Sequence, residues 1–253
     1  MFRISIDHNS CTGCGLCVSD CLVNDIELTN GKALPHNENC FKCGHCIAIC
    51  PQKAVEPDNG REDIKEYDED FFTIEPETFL NVVKFRRSVR HYQDKKVELD
   101  KIEKIIEAGR FTETASNSQG VSYIVIRKEI PQIREIAAKK LKRLVKIGYN
   151  IKGLDIDKDD FLFRNAPALL LTLAKSEVDA GLAASNMEIM AVTQGLGAFF
   201  SGLFVMIANH DKKIKDILEM QEDDKIVTCM AVGYPNVKYF RTVPRKKANI
   251  RWK

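Results

Sequence analysis

The chain has 253 residues, 44% of them hydrophobic and 29% charged, with a formal net charge of +2. That length suits two domains and is short for three. No apolar run approaches the roughly 18 residues needed to cross a bilayer, so no membrane segment is expected.

In chain order, the first feature is a repeat of cysteines. Cys11, Cys14, Cys17 and Cys21 recur 29 residues later as Cys40, Cys43, Cys46 and Cys50, which is followed by Pro51. Zinc on paired Cys-x2-Cys motifs has no need of the extra cysteine at x3 spacing. Disulfides pair poorly between residues three apart on tight turns. The spacing resembles that of the 2[4Fe–4S] ferredoxins over about residues 1–57. In such proteins the fourth cysteine of each copy ligates the other copy's cluster. The resemblance assigns Cys11, Cys14, Cys17 and Cys50 to one cluster, and Cys40, Cys43, Cys46 and Cys21 to the other. Leu22 follows Cys21 where the pattern has proline, which affects only the stiffness of the exit. Thiolates at this density imply a reducing compartment, and Met1–Asp7 does not read as a secretory leader, so a cytoplasmic location is expected.

Domain boundaries are expected at 1–60 for the cluster domain, 61–79 for an acidic linker and 80–253 for a second domain. Residues 1–80 carry 6 Lys/Arg against 15 Asp/Glu, a net of −9, and residues 81–253 a net of +11. The basic half does not read as a nucleic-acid binder, because its lysines concentrate on one helix face around Lys139–Lys146 and no recognition motif accompanies them.

The second domain alternates helices and strands. Leu99–Ala108 has helical spacing and is expected to stop at Gly109. Val121–Arg127 is a β-branched and aromatic strand. Pro131 opens and Gly148 closes a helix. A buried strand is expected over Ala168–Ala174, and an apolar helix over about Val178–Gly195. A strand near Phe199–Met206, a helix near Asp211–Met220 and a strand over Lys225–Gly233 complete an α+β or α/β pattern. Cys229, in the last strand, reads as an inert core thiol.

Iron–sulfur clusters carry one electron each, so a reductase needs a second cofactor. No Gly-x-Gly-x-x-Gly turn or P-loop is present; Gly195-Leu196-Gly197 follows a helix and lacks the third glycine. Two anion-binding clusters stand out instead, Arg86-Arg87-Ser88-Val89-Arg90 and Pro244-Arg245-Lys246-Lys247. Together with Thr114–Gln119, Gly195–Gly202 and Val232–Pro235, they resemble the nitroreductase family in order and spacing over about residues 80–253. The resemblance implies an α+β fold, an intertwined homodimer and FMN at the subunit interface. It assigns Arg86 and Ser88 to the FMN phosphate, with Arg90 reaching the flavin's pyrimidine edge. Thr114, Ser116, Asn117 and Gln119 would come from the opposite subunit. Ser201 and Gly202 would lie at flavin N5, and Arg245 and Lys247 would close the phosphate site. The Gly120-Val121 pair departs from the Pro-Trp of many members.

The sequence therefore points to a fusion of a ferredoxin-like domain with a nitroreductase-like α+β domain. Clusters would relay electrons from a low-potential donor, a ferredoxin, to FMN, for reduction of a small organic acceptor such as a nitroaromatic, quinone or enone. The alternative is a relay protein with no substrate of its own. No side chain stands out as a catalytic acid; His91 reads as an ordinary surface histidine.

Overall fold

The computed structural model describes residues 3–58, 64–149, 156 and 160–253. They form two compact units, Met1–Thr73 with Ala115–Ser118, and Ile74–Thr114 with Gln119–Lys253.

In the first unit the repeat of the sequence becomes a repeat of hydrogen bonds. Strand β1 (Ile4–Ile6) is followed by helix α1 (Leu16–Ser19) and strand β2 (Ile26–Thr29). Strand β3 (Lys32–Pro35), helix α2 (His45–Ile49) and strand β4 (Val55–Pro57) then repeat that order. β1 pairs antiparallel with β4, and β2 with β3 across the Asn30-Gly31 turn. The N–H of Asp7 reaches the carbonyl of Ala54, and 29 residues on, the N–H of His36 reaches that of Asp25. Asp25 N–H donates to Cys21 Sγ and Ala54 N–H to Cys50 Sγ, both at 3.3 Å. Gly13 holds φ +71°, and a Cβ there would stand 2.0 Å from the Gly31 carbonyl oxygen, so only glycine fits. Its counterpart Lys42 also holds a positive φ, 57°.

Part of the expected linker is helical. α3 (Glu69–Phe72) is capped by the Asp68 carboxylate, and α4 (Pro76–Phe85) opens on Pro76, with Glu77 in its first turn. Acidic composition concealed both. Arg61–Asp63 of the expected linker lie outside the described residues.

The second unit is built on an antiparallel sheet of order β5-β6-β8-β7. The strands are β5 (Ser122–Ile126), β6 (Ala168–Leu173), β7 (Gly197–Phe200) and β8 (Ile226–Gly233). Both faces of β6 are buried, which is why it reads as an unbroken apolar run. Leu169, Leu171 and Leu173 pack with α6 (Ile130–Lys146), α8 (Gly202–Ala208) and α9 (Lys212–Ile217). Ala168 and Leu170 face α5 (Leu99–Arg110) and α7 (Glu177–Thr193) through Ile102, Ile105, Met187 and Ala191.

Two expectations from the sequence are corrected. The segment Phe199–Met206 is not one strand: β7 ends at Phe200 and α8 begins at Gly202. A short run of wholly apolar residues cannot distinguish the two; Phe204, Ile207 and Ala208, at i, i+3 and i+4, are the buried ones. Helix α5 does not stop at Gly109 but runs to Arg110. Gly109 is there for close packing, since a Cβ would meet Met187 side-chain atoms at 3.0 Å.

Candidate functional site

Cys11, Cys14, Cys17 and Cys50 line one small cavity in the first unit, together with Ile6, Ala33 and Val55. That is the set of three thiols from one copy and one from the other. Among the described residues no three His, Cys, Asp or Glu side chains converge as they would on a single metal ion. The donors are four soft sulfurs per set, the chemistry of an iron–sulfur cluster. Backbone N–H groups of Ala33 and Gly13 hold the Cys11 thiol below its ordinary range. Burial pushes Cys17 up, beside Cys50, Cys11 and Cys14, and pushes Cys46 to about 11, beside Cys43 and Cys40. Backbone donors continue around the second set, where Lys42 N–H reaches Cys40 Sγ at 3.4 Å. Such N–H···S contacts favour added negative charge on the sulfurs.

In the second unit, the end of α4 delivers Arg86–Arg90 to the sheet. Val89 N–H donates to the Ala198 carbonyl at 2.9 Å, and Ser88 bridges Ala198, so the segment lies along β7. Gly197 permits this approach: a Cβ there would stand 2.5 Å from Val89 Cγ2. Arg86, Arg87, Ser88 and Arg90 then line an open cavity of about 290 Å³, joined by Tyr239 and Arg245 from the C-terminal segment. Four guanidiniums on one cavity constitute an anion site. The buried Nε of Arg87 has no hydrogen-bond partner among the described residues. Arg86 is braced from α7, its Nη1 2.9 Å from Glu188 Oε1. Burial holds the Glu188 carboxyl above its ordinary range against the pull of Arg86. Arg90 lies 5.9 Å from the centre of the Phe199 ring.

The other predicted positions are placed elsewhere. Ser201 is buried, its hydroxyl donating to the Leu162 carbonyl at 2.8 Å and its N–H to that of Cys229. Gly202, the first residue of α8, is exposed with open space where a Cβ would stand. Thr114 Oγ1 accepts from the Gln119 N–H at 2.9 Å, bending the intervening turn, where Ser116 and Asn117 hold positive φ. The Asn117 amide donates to the carbonyls of Phe41 at 3.3 Å and Lys42 at 2.7 Å, and Ala115–Ser118 groups with the first unit. Lys247 is exposed and is not part of the cavity wall. His91 is exposed, as expected. Sequence reasoning passed over Arg87, Tyr239 and Glu188. Arg87 was visible in the Arg-Arg pair, whereas nothing in the sequence joins Glu188 to Arg86, 102 residues away.

Comparison with known proteins places both parts of the chain in known families. Residues 3–61 match a 4Fe-4S dicluster domain, and residues 83–234 match the Nitroreductase family. An NADPH-dependent oxidoreductase of Staphylococcus aureus (strain USA300) is 28% identical over 169 residues, 63% of this chain and 65% of that protein. The chain thus spans just under two thirds of the curated relatives it matches. Among solved structures, an FMN-dependent nitroreductase from Clostridium difficile R20291 superposes with a TM-score of 0.58 at 17% identity, over 70% of this chain and 100% of that one. A nitroreductase with bound FMN from Bacteroides fragilis NCTC 9343 does so with a TM-score of 0.58 at 20% identity, over 69% and 97%. With the four-guanidinium cavity set against β7 and a dicluster domain before it in sequence, the chain belongs to the nitroreductase family.

Proposed function

We propose that this oxidoreductase takes single electrons from a low-potential protein donor, a ferredoxin, through two [4Fe–4S] clusters, and that with FMN it reduces a small organic acceptor such as a nitroaromatic, quinone or enone. The observation that carries the reading is the cavity lined by Arg86, Arg87, Ser88, Arg90 and Arg245, in a chain that also bears eight paired thiols. Cys11, Cys14, Cys17 and Cys50 hold one cluster, and Cys40, Cys43, Cys46 and Cys21 the other. FMN, when bound, supplies exchange between one-electron carriers and two-electron acceptors.

The chain's own residues bind and orient. Arg86, Arg87, Ser88 and Arg245 hold the phosphate, Lys247 adding charge, and Glu188 fixes the Arg86 guanidinium. Arg90 serves the flavin's pyrimidine edge, where a cation stabilises negative charge. The exposed Gly202 leaves its backbone N–H open to flavin N5, while Ser201, tied to Leu162, fixes the turn that presents it.

The working unit is a homodimer, in which Thr114, Ser116, Asn117 and Gln119 serve the second copy's flavin. Supporting this, α4 leaves Phe79, Leu80 and Val83 exposed, and α7, on which it packs, leaves Leu182 exposed. Phe240 and Trp252, in the C-terminal segment, are 80% and 89% exposed.

The test is anaerobic reduction of the purified chain by reduced ferredoxin or by NADPH, followed by an acceptor screen. Ferredoxin-driven turnover that collapses in Cys43→Ala, with FMN still bound and dithionite-driven turnover intact, is the expected result. Rapid flavin reduction by NADPH in the Cys43→Ala chain would overturn the relay. Reduction without turnover of any small acceptor would make the chain an electron carrier instead.

A further inference from the structure

The two halves of the first unit repeat so closely that charged departures from the repeat stand out. Lys32, at the start of β3, is half-buried and donates from its ammonium to the carbonyl of Cys11. Its counterpart 29 residues earlier, Arg3, is exposed. Asp25 is 4% exposed. Its N–H meets Cys21 Sγ at 3.3 Å, and its Oδ1 accepts from the N–H groups of Glu38 at 3.1 Å and Asn39 at 3.0 Å, immediately before Cys40. Its counterpart is the uncharged Ala54, whose N–H meets Cys50 Sγ.

A cation therefore sits against one cysteine set and a buried carboxylate against the other. Among the described residues, other charges nearby are more open to water. Asp7, tied to Ser10, is exposed, as is Lys42. His45 pairs with Asp20 at 3.3 Å, with side chains 64% and 38% exposed. Such charges are screened by solvent and salt, whereas those of Lys32 and Asp25 act through the less polarisable interior.

We propose that the two clusters have unequal reduction potentials. The cluster held by Cys11, Cys14, Cys17 and Cys50 is the higher, because of Lys32. The cluster held by Cys40, Cys43, Cys46 and Cys21 is the lower, because of Asp25. This rests on the partition of cysteines proposed above. Each cluster gains one electron, hence one negative charge, on reduction, which a neighbouring cation stabilises and a buried carboxylate opposes. The first electron from a low-potential donor settles on the Lys32 side, and the Asp25 side is the stronger reductant.

The test is a potentiometric titration of the full chain with dithionite, followed by electron paramagnetic resonance. Two one-electron waves are expected, and Cys43→Ala should delete the lower one. Lys32→Gln should lower the upper wave by at least tenfold in the reduced-to-oxidised ratio, 59 mV for one electron. Asp25→Asn, which keeps an acceptor for the Glu38 and Asn39 N–H groups, should raise the lower wave similarly. Coincident waves in the unmodified chain, or both variants moving the same wave, would overturn the proposal. If Cys43→Ala deletes the upper wave instead, the assignment of Lys32 to the higher cluster fails. Loss of both clusters on that substitution, read as iron content, would overturn the partition itself and the inference with it. Should Asp25→Asn lose iron, the Lys32 arm decides.

Discussion

Gly197→Ala is a severe test of how the cationic cavity is positioned. The added Cβ would stand 2.5, 2.7 and 3.0 Å from Val89 Cγ2, Cβ and Cγ1. Carbon atoms pack at about 3.5–4.0 Å, so Val89 must retreat by roughly 1 Å. Val89 is 5% exposed and branched at Cβ, so it cannot rotate away. Overpacking of this kind costs about 1–3 kcal/mol. Retreat also stretches the 2.9 Å bond from Val89 N–H to the Ala198 carbonyl, worth about 1 kcal/mol net. The total of about 2–4 kcal/mol corresponds to a fall in Tm of roughly 5–15 °C for a chain of this size. Arg86, Ser88 and Arg90 move with Val89, so FMN affinity, read by flavin fluorescence, should fall beyond the loss of stability. Val89→Gly added to Gly197→Ala removes all three contacted carbons and should recover affinity, a coupling that a double-mutant cycle measures. An unchanged Tm and FMN affinity in Gly197→Ala would refute the reasoning.

Three further outcomes are expected. Analysis of the purified protein should give about eight iron, eight acid-labile sulfide and one FMN per chain, two cubanes accounting for the inorganic count; one or two zinc atoms without sulfide would contradict this. Leu171→Ala, at a fully buried position in the middle of β6, should cost about 2–5 kcal/mol in chemical denaturation. The hydrogen bond from Tyr234 Oη holds Glu98 at about 2, below its ordinary 4.5; its stabilising effect is present above pH 4.5 and is lost as pH falls towards 2, so the Tm values of the parent and Glu98→Gln should differ at pH 6 and converge near pH 2.

The cluster domain was almost wholly legible because its ligand spacing is a covalent fact about the chain and the two copies check each other. The strands of the second unit were legible where both faces are buried, as in β6. Helix α8 was not, because an all-apolar run has the same pattern in either conformation. Helix α4 was masked by the acidic residues before it. The arginines of the cavity were visible as motifs, but their bracing by Glu188 depends on how α7 crosses the end of α4, a tertiary fact with no local signature. Nor could the sequence show that the Asn117 amide would go to the carbonyls of Phe41 and Lys42.

The cavity that gathers Cys50 with Cys11, Cys14 and Cys17 also sets an order of events during synthesis. On the proposed partition, the first copy of the repeat leaves the ribosome bearing four thiols and cannot complete a ligand set from them alone. The missing thiol is encoded 33 residues after Cys17. At about 5–20 residues per second, the nascent chain waits roughly 2–7 s with an incomplete set. Cluster delivery before that point would meet three sulfurs, an invitation to oxidation or to capture of the wrong metal. Insertion must therefore be timed to the emergence of the second copy, and a pause in translation between the two copies should lower the yield of clusters without altering any residue.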